Sequence, residues 1–397
     1  MPWKECVPMD EKLLFIADHL RATCSLSELC ERYGISRKTG YKWIARYRQL
    51  GTDGLQEQSR KPLHNRFAIS YAQRQAIIEL RTSTPGQPGP KKLMALLEQR
   101  WGTGHTPSKT TIYNILKAAG LIQSQRRRRR VHPTEQPLRP SSEPNGLWSV
   151  DYKGQFKTAD GQWCYPLTIM DHASRYLLAI DVYTGTGFEA AKHSFERVFQ
   201  QHGLPSRIRS DNGAPFASTG VAGLSRLSVW WIRLGIEPER IERGKPQQNG
   251  RHERMHRTLK QALGKTPAAN LQALQVQLDT FRQHYNEQRP HESLEQQTPS
   301  QRYRTSERTY PEQLPPARYP PHWETATVSS NGLVYWRGLR IYIGYLLAGQ
   351  QIGMQEVAAG QWEVYLCNTR IGYFNQSDKD GIEDDYITLK VLPMSVN

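Results

Sequence analysis

Cysteine is scarce and unpatterned in this chain. Cys6, Cys24, Cys30, Cys164 and Cys367 are scattered over 397 residues with no C-x2-C pair. That distribution excludes a disulfide framework and a Cys-rich zinc site, leaving reduced core or surface thiols. Long apolar runs are missing too. No stretch approaches the roughly 18 continuous apolar residues of a membrane span. The Met1 to Ser25 region also lacks a short apolar block with basic flanks and a small-residue cleavage site. A soluble cytoplasmic protein with no membrane partner is therefore expected. Acidic residues are in deficit, with 37 Asp+Glu against 53 Lys+Arg and a net charge of +16. Such an excess points to a polyanionic partner, nucleic acid first, because phosphate neutralisation supplies most of its binding energy. An anionic membrane surface is the alternative, but no basic amphipathic helix with a strong apolar face stands out. Core material is not lacking: 37% hydrophobic and 10% aromatic residues exclude wholesale disorder, and the length suggests about two to four domains.

Between Met9 and Leu50 apolar residues recur at helical spacing, and two start signals divide the pattern into three helices. Leu13, Leu14, Ala17 and Leu20 read as one packing face. Ser25 with Glu28 forms a capping box, Gly34 turns the chain, and Ser36 caps a third helix. That third helix carries Lys38, Lys42 and Arg46 at i, i+4 and i+8, with Trp43, Ile44 and Tyr47 free to face the other two. This is the layout of a helix-turn-helix recognition helix, expected over 1–60; a small bundle with a solvated basic face is the plainer account. A second set of three helical patterns predicts another helix-turn-helix domain over 66–124. A basic, Pro-rich linker follows over 125–146. It holds Arg126, Arg127, Arg128, Arg129 and Arg130, which no packed core can accommodate side by side; they track phosphates or merely solubilise the chain.

From Leu147 the period changes. Strand-like runs at Trp148 to Tyr152, Cys164 to Met170 and Tyr176 to Tyr183 precede an amphipathic helix and a short strand at Arg207 to Ser210, which predicts a mixed α/β sheet over 147–305. After a Pro-rich connector, short β-type runs punctuated by glycines predict a small antiparallel barrel over 322–397, with Trp323, Trp336 and Trp362 in its core or forming a DNA-facing platform. Asp151 ends the first strand of the α/β region, Asp211 follows the strand at Arg207 to Ser210, and Glu253 lies on the helix opened by Gln247-Gln248-Asn249-Gly250. Carboxylates gathered at one sheet edge repel one another unless cations neutralise them, and hard oxygen ligands favour Mg²⁺ or Mn²⁺. Such a cluster implies two metal ions acting on a DNA phosphodiester. Aspartates at strand ends also serve as ordinary turn caps, the reading preferred for Asp171 and Asp181.

Four blocks carry a resemblance. They are Trp148-Ser149-Val150-Asp151, Ser210-Asp211-Asn212-Gly213, Lys245-Pro246-Gln247-Gln248-Asn249-Gly250-Arg251-His252-Glu253 and Tyr285-Asn286-Glu287-Gln288-Arg289-Pro290-His291. In this order they resemble the bacterial insertion-sequence transposases, whose core is like that of retroviral integrases, an Asp-Asp-Glu triad on a ribonuclease H-like fold. The resemblance spans about Trp148 to Pro299. It implies that Asp151, Asp211 and Glu253 bind two divalent metals and support strand cleavage and strand transfer. It also implies that helix-turn-helix units bind terminal inverted repeats, and that a homodimer or larger assembly joins element ends to target DNA at the nucleoid. The chain departs in having 41 residues between Asp211 and Glu253, more than the family's usual spacing. Lys260 stands seven residues beyond Glu253, an advance of about 700°, so both project from one helix face. The family uses a lysine there to hold phosphate, although a solvated lysine would look the same. Asn249, one turn before Glu253, is a further candidate on that face.

Rivals remain at this point. His252-Glu253-Arg254-Met255-His256 matches H-E-x-x-H, the zinc-protease signature. No third-ligand motif accompanies it, and the longer pattern already claims the glutamate; both histidines are expected near DNA or solvent. The other readings are a DNA-binding regulator or domesticated transposase with a silent core, and a ribonuclease H-type nuclease without strand transfer.

Overall fold

The computed structural model describes residues 8–57, 69–122, 138–264, 266–378 and 386–391. Arg126 to Arg130 and the first part of the linker lie outside the described residues. The chain forms two compact units, Met1–Ala68 and Ile69–Asn397.

The first unit holds helices α1 (Pro8–Arg21), α2 (Leu26–Arg32) and α3 (Arg37–Leu50), closed by a 3-10 turn at Gly51–Leu55. Ser25 and Glu28 make the expected capping box, and Ser36 caps α3 through the Thr39 amide. At Gly40 a Cβ would lie 2.6 Å from Cys30 Sγ, so only glycine lets α2 and α3 approach this closely. The packing face of α1 differs from expectation: Phe15 and Ile16 are buried, while Leu14 and Leu20 are 58% and 66% exposed. Apolar residues surround most of α1, so periodicity could not select the inward stripe, and the bulkier side chains took it.

In the second unit α4 (Tyr71–Ser83), α5 (Pro90–Trp101) and α6 (Lys109–Ala118) pack around Ile77, Leu93, Leu97, Ile112 and Leu116. A mixed sheet follows, built from β1 (Trp148–Tyr152), β2 (Phe156–Lys157), β3 (Trp163–Asp171), β4 (Leu177–Tyr183), β5 (Arg207–Ser210) and β6 (Glu237–Arg240). Its order is β2-β3-β1-β5-β6, with β4 on β3. Strands β1 to β4 pair antiparallel, whereas β1-β5 and β5-β6 are parallel. This is the ribonuclease H-like core. Alternation sends Trp148 and Val150 into a core with α7 (Phe188–His202) and α8 (Arg226–Arg233), leaving Ser149 and Asp151 on the opposite face. That face is covered by α9 (Gly250–Leu263) and α10 (Leu271–Glu287), packed on Cys164, Met170, Leu177 and Ile180. Helix α8 lies in the longer segment before Glu253. Its Leu227 and Trp231 face the sheet, while Val229 and Ile232 join the C-terminal core, so the added length bridges the two.

Past the short α11 (Pro299–Arg302), the expected barrel is not formed. Strands β7 (Glu324–Thr327), β8 (Leu333–Trp336), β9 (Leu339–Tyr342), β10 (Gln351–Ala358), β11 (Gln361–Leu366), β12 (Thr369–Asn375), β13 (Tyr386–Thr388) and β14 (Lys390–Val391) make two open sheets, ordered β14-β12-β11-β10-β7 and β13-β9-β8. They share one core containing Trp336, Trp362 and Phe374. Trp323 instead stacks outside on Tyr319 and Tyr365. Alternating burial, which sequence does encode, is common to packed sheets and barrels. Closure needs a hydrogen-bonded ladder between edge strands, and no such ladder joins the sheets among the described residues.

Candidate active site

Adjacent parallel strands β1 and β5 bring two carboxylates together. Ser149 pairs with Arg209, and two residues further along the chain stand Asp151, still in β1, and Asp211, just past β5, at the same carboxyl-terminal edge of neighbours about 4.8 Å apart. The Gly213 amide donates to Asp211 Oδ1 at 3.1 Å, and Asn212 anchors the turn through Ile241 O at 2.7 Å. The third carboxylate, Glu253, is exposed on α9 and makes no side-chain hydrogen bond or ion pair among the described residues. Burial pushes the Asp151 carboxyl up to about 7, and the negative charges of Asp211 and Glu253 add to it. Burial also raises Asp211.

Helix α9 is fixed by a buried network that sequence reasoning placed wrongly. His252 and His256 face the sheet, not DNA or solvent. Ser149 Oγ meets His252 Nδ1 at 2.8 Å, and Thr168 Oγ1, the cross-strand partner of Asp151, lies 2.7 Å from the Nε2 of each imidazole. Thr168 donates to Asp151 O at 2.8 Å, so its oxygen accepts from both rings and each carries its proton on Nε2. His256 Nδ1 then sits 3.7 Å from Asp151 Oδ2. Burial depresses both imidazoles, His252 to about 3, and keeps them neutral. The i, i+4 spacing read as a zinc motif instead marks one inward helix face. The start of α9 is tied down separately: Arg209 bridges Glu239 and Gln248 O, and Gln248 holds Glu242.

The other sequence candidates fall into distinct places. Lys260 is exposed and, with Lys153 and Lys157, lines a cavity of about 320 Å³ floored by Phe156, Leu263 and Leu274. Lys153 was not foreseen; its only signal is the step beyond Asp151. Asn249, expected on the face of Glu253, is 4% exposed, and its buried Oδ1 has no hydrogen-bond partner. Lys38 and Lys42 lie exposed on α3 in the first unit, beside Arg37, Tyr41 and Arg48, whereas Arg46 is half-buried over Trp43. Asp171 closes its turn by accepting from Ser174 and from the Asn145 amide, and Asp181 pairs with Arg197. Among the described residues, no three His, Cys, Asp or Glu side chains are already gathered to hold a metal ion.

Comparison with known proteins gives the family. The chain matches the Integrase core domain over residues 141–246 and 234–299, a Homeodomain-like domain over 39–116 and a Helix-turn-helix domain over 11–62. It is 30% identical over 215 residues to the 31.7 kDa protein of insertion element IS407 from Burkholderia multivorans, covering 54% of this chain and 74% of that one. It belongs to the bacterial insertion-sequence branch of the DDE integrase-core superfamily. The 39.2 kDa protein of insertion element IS476 from Xanthomonas euvesicatoria is 28% identical over 201 residues, 49% of this chain and just 56% of its own length. The HTLV-2 integrase catalytic core domain solved in complex with magnesium overlays 41% of this chain and 98% of its own, with TM-score 0.32 and 16% identity. Its two integrase-core matches give the chain a fold generally involved in DNA recombination. Among its described residues no helix is long and apolar enough to cross a membrane.

Proposed function

We propose that the protein is an insertion-sequence transposase that binds terminal inverted repeats and performs divalent-metal-dependent strand cleavage and strand transfer. One observation carries the reading: Asp151 near the end of β1 and Asp211 just past β5 stand level at one edge of adjacent parallel strands, with uncommitted Glu253 close enough to act on the Asp151 carboxyl. The donors fit a hard cation. Mutual repulsion is relieved by positive charge, and the orphaned Asn249 Oδ1 adds a neutral oxygen to the helix that bears Glu253. Asp151, Asp211 and Glu253 would hold two Mg²⁺ or Mn²⁺ ions, which when bound supply Lewis acidity to the reacting phosphate.

The chain's own groups do the rest. Lys153 sets positive charge beside Asp151, and Lys260, which lines the same cavity as Lys153, joins it in holding the scissile phosphate. Ser149 on β1, Thr168 on β3 and the neutral histidines lock α9 onto the sheet, which fixes the helix that carries Glu253. Attack by water forms a new P–O bond while the P–O3′ bond breaks, and the departing 3′-oxygen takes up a proton. Strand transfer repeats the exchange, with that 3′-hydroxyl as nucleophile on target DNA. Exposed Lys38 and Lys42 on α3 suit the terminal repeats, and two ends brought together imply a homodimer or larger assembly.

Labelled terminal-repeat DNA tests this with and without Mg²⁺, using the native chain and Asp211→Asn. Joined products that need metal and vanish in the variant are expected. DNA bound but left uncut would instead support a regulator with a silent core, and cleavage without joining a nuclease.

A further inference from the structure

Away from the carboxylates, positive charge is concentrated where the α4–α6 helices meet the α9–α10 side of the sheet. Lys92 comes from α5, Arg175 from the β3–β4 turn, Arg251 and Arg254 from α9, and Arg289 from just past α10. The Arg289 guanidinium reaches the α4–α5 turn, 3.3 Å from where a Cβ of Gly86 would stand. Among the described residues a single ion pair, Lys91 with Glu292, spans the seam. It satisfies Lys91, not its neighbours: Lys92, Arg254 and Arg289 make no side-chain hydrogen bond or ion pair among the described residues. Among the described residues the Arg175 and Arg251 side chains donate only to His172, a neutral acceptor. His284 and His291 each leave a buried Nε2 without a hydrogen-bond partner. Like charges packed this way repel and destabilise the fold unless an anion joins them.

We propose that this seam is a phosphodiester-binding track in which Lys92, Arg254 and Arg289 seat the DNA backbone beside the candidate carboxylates. The inference rests on the DNA reading above and extends it to a surface that also couples the second helical domain to the core. Arg254 follows Glu253 directly, so a strand held here runs to the reacting phosphate. The crowding leaves its mark on the groups themselves. Burial, with Arg289 and Arg254 nearby, drops the Lys92 amine to about 7, and burial with the same cations lowers His291 to about 3.

The test uses the full chain and a duplex of arbitrary sequence. Binding is measured across a salt series for the native protein and for Lys92→Gln, Arg254→Gln and Arg289→Gln, alongside thermal melts. Each variant should bind more weakly, with the log–log salt slope flatter by about 0.9 for every phosphate that is no longer neutralised. Melting temperatures should hold or rise, because a repulsive charge has gone. A structural brace predicts the reverse, with stability falling and the slope unchanged. Arg254 is exposed, so its variant reports even if another misfolds. Native slopes in all three variants, while the native chain still cuts and joins DNA, would overturn the track alone. A native chain that neither binds nor cuts DNA would overturn the track and the transposase reading together.

Discussion

Asp151 bears the cost of the candidate site. Its carboxyl titrates near 7 against an ordinary 3.8, so the folded chain holds that proton more tightly than the unfolded chain does. Stability from this group is therefore complete below pH 3.8 and lost as pH rises through about 7. Asp151→Asn removes the repelled charge and should stabilise the metal-free protein at pH 8 by about 1–2 kcal/mol, a fraction of the full linkage because the side chain is partly solvated. At pH 5 the gain should shrink. Melts in a chelating buffer check this, and equal melting temperatures at pH 8 would contradict it. Added Mg²⁺ should raise the native melting temperature and leave the variant's nearly unchanged, since only the native site gains ligand.

Helix α9 divides its labour between faces. Glu253, Arg254, Arg257 and Lys260 are exposed, while His252, Met255, His256 and Leu259 are buried. Thr168 is the point where the buried face is pinned. Thr168→Val keeps the shape but leaves two imidazole N–H groups without an acceptor, costing about 2–3 kcal/mol. Urea unfolding reads that loss; a variant as stable as the native chain would show that the network contributes nothing net. The outward face was legible from spacing, because i, i+7 is a property of any helix. The inward partners were not, because His252 and His256 find Thr168 across 84 and 88 residues of chain. The same limit applies to α1, where crowded apolar residues hid which stripe turns inward.

Across the whole molecule the buried histidines set the acid stability, opposed by Asp151, Asp171 and Asp211, whose carboxyls burial raises. His172, His202, His252, His256 and His291 are all depressed from 6.5 by burial, so each stabilises above that value and loses its contribution as pH falls toward its folded value. Each adds up to about 1.4 kcal/mol per pH unit of acid lability below its ordinary value, whereas the raised carboxyls of Asp151, Asp171 and Asp211 work in the opposite direction. The urea midpoint should drop sharply between pH 7 and pH 5; an unchanged midpoint would mean these rings are already solvated. Sequence by itself determined the helix starts at Ser25 and Ser36, the alternation that puts Asp151 opposite Trp148 and Val150, and the positive charge that calls for a polyanion. Those follow from local stereochemistry and composition. Tertiary structure alone decided that Asp211 lies level with Asp151, that the H-E-x-x-H histidines turn inward, that unpaired cations collect at the α5–α9 seam, and that the C-terminal strands form two open sheets. Each of these depends on which distant segments pair and in what register, a free-energy balance that no single stretch of chain contains.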